Sequence, residues 1–148
     1  MTDLDPAHRR STTGRAVAAT QLVLLIAYLT GSYGILIIAA VRAGDLGAVV
    51  HPFLDRLGDP KDSIPGIGPE SLWNPLIWFV GACRLIALLI FPIGFAMLSF
   101  GAATLVQVWR RGDRRMSTWL AVLTGTWLAL TILATTTHGM HLTGWLAD

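Results

Sequence analysis

Apolar residues gather into three long runs, 16–43, 85–108 and 118–137, with polar or turn-rich chain between them. A bilayer core of ~30 Å is crossed by about 20 apolar residues at ~1.5 Å rise each, a length that every run reaches. Arg42, close to one end, is the only ionised residue inside them. The pattern predicts an all-α integral membrane protein built as a single membrane domain over residues 1–148. Its parts are a tail at 1–15, a first transmembrane helix at 16–43 and an outer loop at 44–74. A long helix at 75–109 follows, crossing at 85–108, then an arginine loop at 110–117 and a third transmembrane helix, with an outer extension, at 118–145.

The second and third helices are longer than a crossing needs. Asn74 before Pro75 reads as an N-cap with proline at the first helical position, and helical composition then runs unbroken to Trp109. Pro92 should kink this rod and leave the Leu88 carbonyl without its usual donor. An ionised arginine at mid-bilayer costs at least ~2.5 kcal/mol, which puts Arg84 at the outer boundary. Ser117 is the expected cap of the third helix, whose pattern continues past Thr137 through His138 and His141 toward Trp145. Trp109 and Trp119 mark one interface and Trp73, Trp78 and Trp145 the other, whereas Trp127 falls mid-span and must face another helix or lipid tails.

The outer loop carries a shorter pattern. Leu46, Val49, Val50, Phe53, Leu54 and Leu57 recur at helical spacing and predict a short amphipathic helix that bends at Pro52 or begins near His51. The proline- and glycine-rich stretch 64–69 reads as an extended connector.

Charge sets an expected orientation. Arg9, Arg10 and Arg15 precede the first run and Arg110, Arg111, Arg114 and Arg115 separate the last two, while 44–71 holds only Arg56 and Lys61. By the positive-inside rule the N-terminus and the arginine loop are cytoplasmic, and the outer loop and C-terminus are periplasmic. The run at 16–41 exceeds the about 7–15 apolar residues of a signal peptide, so it is read as an uncleaved anchor. Arginine accounts for every basic residue except Lys61, a bias suggesting a GC-rich bacterial genome and hence a bacterial plasma membrane. The arginines lie beside apolar runs and form no stripe with interleaved aromatics, which argues against a nucleic-acid partner.

Candidate chemistry concentrates at the outer boundary. Counting up from the cytoplasmic ends brings Arg42, Arg84, His138 and His141 to similar depth, with His51 within reach from the loop. His138 and His141 share a helical face, and with Arg84 they form a candidate cofactor site for haem or quinone. Arg42 and Arg84 form a candidate seat for a lipid phosphate. The plainer reading is that these residues anchor helix ends at the interface. Haem is disfavoured because no buried histidine on another span opposes His138, and no metal site is expected because His138 and His141 have no nearby carboxylate or thiolate other than Asp148 or an acid of the loop. Cys83, the sole cysteine, excludes an intrachain disulfide. Gly31, Gly34, Gly94, Gly101 and Gly125 are candidate helix-packing positions, against this chain or against other subunits. The threonines of the third run are expected to bond back to their own helix.

Phosphate loops, nucleophile elbows, helix-borne zinc pairs and intramembrane carboxylate pairs are missing from the sequence, so catalysis is not expected. In overall style the chain is similar to small polytopic accessory subunits of bacterial respiratory or envelope complexes. The expected function is a non-catalytic accessory or assembly subunit of the electron-transport chain, partnered by other membrane subunits and lipids. A haem- or quinone-binding membrane anchor and a lipid-binding membrane protein are the alternatives.

Overall fold

The computed structural model of the protein describes residues 6–52, 54–60 and 74–147. The expected connector at 64–69, together with Phe53 and Trp73, lies outside them. Every regular element among the described residues is helical: α1 (Pro6–Leu29), a π-helical segment (Thr30–Gly34), α2 (Ile35–Ala43), a 3-10 turn (Leu46–Val49), α3 (Leu54–Leu57), α4 (Pro75–Leu88), α5 (Ile90–Trp109), α6 (Arg114–Thr135) and α7 (Thr137–Ala147). Three helices are long and apolar enough to cross a membrane, Thr13–Ala43, Ile90–Trp109 and Arg114–Thr135. Only 22% to 33% of each span's most apolar window is buried within the chain, so most of every span faces lipid or other polypeptides.

The chain forms two compact units. The first contains residues up to Leu25 and Pro92–Thr131. Its buried core includes Val108, Leu120, Leu123 and Trp127, and both Trp127 and the side chain of Gln21 are fully buried. Lipid is as apolar as leucine, so close packing and hydrogen bonds, rather than escape from water, hold such helices together. Two glycines supply the close packing. A Cβ at Gly94 would overlap the Thr131 hydroxyl, and one at Gly101 would overlap Gln21 and Thr124.

The second unit contains Ile26–Phe91 and the residues from Ile132 onward. Here the helical chain loses its regularity three times, once within the first span and once at an end of each of the other two. The first widens into the π segment at Thr30–Gly34. The second breaks at Leu89, so the expected uninterrupted rod at 75–109 is two helices, α4 and α5. Pro92 is the cause: without an N–H it cannot bond the Leu88 carbonyl, and its ring crowds that carbonyl. The third breaks at Thr136 instead of running on to Trp145. The Thr136 hydroxyl lies 2.6 Å from the Leu133 carbonyl, to which it donates, and accepts from the Gly139 N–H at 3.3 Å. It thereby caps α7.

Two further expectations are corrected. Asp113, not Ser117, caps α6: its carboxylate accepts from Met116 N–H at 3.1 Å, placing the helix start just after the turn. The loop pattern 46–57 is not one amphipathic helix but the 3-10 turn, a bend at His51 and the single turn α3. Pro52 interrupts the ladder, and among the described residues Ala48, Pro52 and Leu57 are buried, while Leu46 and Val50 are exposed. The loop begins from Gly44, whose φ of 67° ends α2 in a left-handed cap, with Asp45 N–H bonding the Ala40 carbonyl at 3.0 Å.

Candidate functional site

In the second unit the π segment positions the residues with binding chemistry. Gly31 lies so close to α4 that a Cβ would overlap the Cys83 carbonyl and the Arg84 nitrogen. Only glycine lets the two backbones approach in this way. The Ser32 hydroxyl donates back to the Tyr28 carbonyl at 2.6 Å. Tyr33 then stacks on His138 with ring centroids 6.3 Å apart and planes at 24°, and meets Tyr28 edge-on at 6.5 Å.

The polar heads of this cluster end on the protein's own backbone. His138 Nδ1 lies 2.9 Å from the Val50 carbonyl, tying α7 to the end of the 3-10 turn. Arg84 donates through Nε to the Leu146 carbonyl at 2.7 Å, and its Nη2 donates to the same oxygen. Leu146 is in the last turn of α7, where carbonyls lack intrahelical donors, and a guanidinium also suits the negative end of the helix dipole. Trp145 Nε1 donates to the Gly58 carbonyl at 3.0 Å. Asp45 accepts from Ala48 N–H at 3.2 Å and pairs with Arg56 at 2.6 Å. Each contact fastens loop 44–60 or the last turn of α7. His141 is half-buried on the helix that carries His138, and Arg42 is exposed in the last turn of α2. Cys83, outside the three spans, is buried, and burial pushes its thiol up from the ordinary range.

Arg84 and His138 belong to one unit and secure loop 44–60 and the last turn of α7, and Arg42 lies in the same unit at the end of α2. Of the packing glycines, Gly31, Gly94 and Gly101 are at close approaches, while Gly125 faces open space and Gly34 neighbours only its own helix. Gly125 and Gly34 are thus not packing positions within the chain.

One residue escapes sequence reading altogether. Gln21, in the first span, donates from Nε2 to the Met97 carbonyl at 3.0 Å and to Thr124 Oγ1 at 3.2 Å. Its own carbonyl accepts from Trp127 Nε1 at 3.2 Å. One amide thus joins the three helices of the first unit, and its Oε1 has no partner among the described residues. The available signal was the one carboxamide of the first span, eight residues beyond its start. Trp127, expected to face a helix or lipid, faces the helix. Five threonines of the third run bond back as expected, Thr118, Thr126 and Thr131 donating to carbonyls four residues back and Thr135 and Thr136 to carbonyls three back, whereas Thr124 accepts from Gln21.

The fold and the site define a class, an all-helical membrane-embedded protein whose polar groups are largely used in internal fastening. Comparison with protein-family models, with curated proteins and with solved structures gives no match.

Proposed function

We propose that the protein is a non-catalytic accessory or assembly subunit of a larger complex in a bacterial plasma membrane, with the electron-transport chain as the expected host. The observation that carries this reading is the commitment of Arg84 and His138, the residues best suited to hold a cofactor, to the carbonyls of Leu146 and Val50. A group held in this way fixes shape instead of presenting chemistry. Exposed apolar surface on every span supports the same reading, since it is available to neighbouring subunits as well as to lipid. The N-terminus and arginine loop lie in the cytoplasm, and loop 44–74 and the C-terminus in the periplasm, on the distribution of arginines.

Extraction of native membranes in mild detergent followed by native mass spectrometry tests the proposal. Larger polypeptides should accompany the chain in fixed ratio. Recovery as a discrete monomer across several mild detergents contradicts it. For the haem-anchor alternative an optical spectrum decides, because a purified chain with no Soret band removes it.

A further inference from the structure

We draw no further inference here: the strongest candidate, the exposed stripe of small residues Ala121, Gly125 and Ala129 along α6, leaves open space around Gly125, and nothing in the structure shows what covers it.

Discussion

Replacing Gly31 by alanine isolates the contact that holds the π segment to α4. A methyl group at this position meets backbone, the Cys83 carbonyl and Arg84 nitrogen, and not the end of a flexible side chain that can swing away. Relief requires one helix to retreat, and overpacking of that kind costs about 1–3 kcal/mol. The upper half of that range is expected, since a gap of ~1 Å along a packed interface forfeits up to about half of the dispersion attraction there. Alanine also gains about 1 kcal/mol of helix propensity over glycine, which obscures the packing cost if Gly31→Ala is measured alone. Gly125→Ala makes the same chemical change in a helix with open space around the new methyl, so the propensity gain cancels in the comparison. Denaturation of both variants in one detergent, followed by tryptophan fluorescence, should place Gly31→Ala about 2–3 kcal/mol below Gly125→Ala. Equal stabilities would refute the close approach.

Other substitutions read the remaining fastenings. Gln21→Leu removes two interhelical hydrogen bonds, each about 0.6 kcal/mol in a membrane protein, but also a buried Oε1, so its net cost should stay below about 1 kcal/mol. Gln21→Ala adds a cavity and should cost about 2 kcal/mol more, measured in the same denaturation assay. Arg84→Ala strips the Leu146 carbonyl of its donors, and hydrogen exchange by mass spectrometry should speed up about tenfold over residues 142–147. Arg56→Ala breaks an exposed pair with Asp45 and should cost less than about 1 kcal/mol, falling further at high salt. Cys83, buried and with its thiol pushed up, should react with maleimide at neutral pH far more slowly in the folded protein than after denaturation.

Spans were legible in the sequence because crossing a bilayer imposes a length and a composition that few residues can disguise. Asn74 was legible as a cap for a local reason: its side chain needs only the Leu76 N–H, which it accepts at 3.0 Å. Pro92 forecast trouble at the Leu88 carbonyl, although not that the helix would end at Leu89. Gln21 was missed because its partners Met97 and Thr124 lie 76 and 103 residues away, and one amide barely lowers the hydropathy of a long window. The break at Thr136 was hidden for a related reason. Threonine is tolerated within helices, and its turn to capping depends on Gly139, which packs against the Leu133 carbonyl and Ala134. At the cluster of Arg84, His138 and Trp145, residue types were readable, but the acceptors were not. Val50, Gly58 and Leu146 contribute backbone carbonyls, which every residue possesses, so no side-chain pattern could announce them.

Single-cysteine mapping in intact cells tests the central claim most directly, using Asp5→Cys, Asp113→Cys and Ala147→Cys on a Cys83→Ala background. A membrane-impermeant maleimide should label position 147 from outside and reach positions 5 and 113 only after permeabilisation, as three crossings with an interior arginine turn require. Labelling of positions 5 and 147 from the same side would contradict the account.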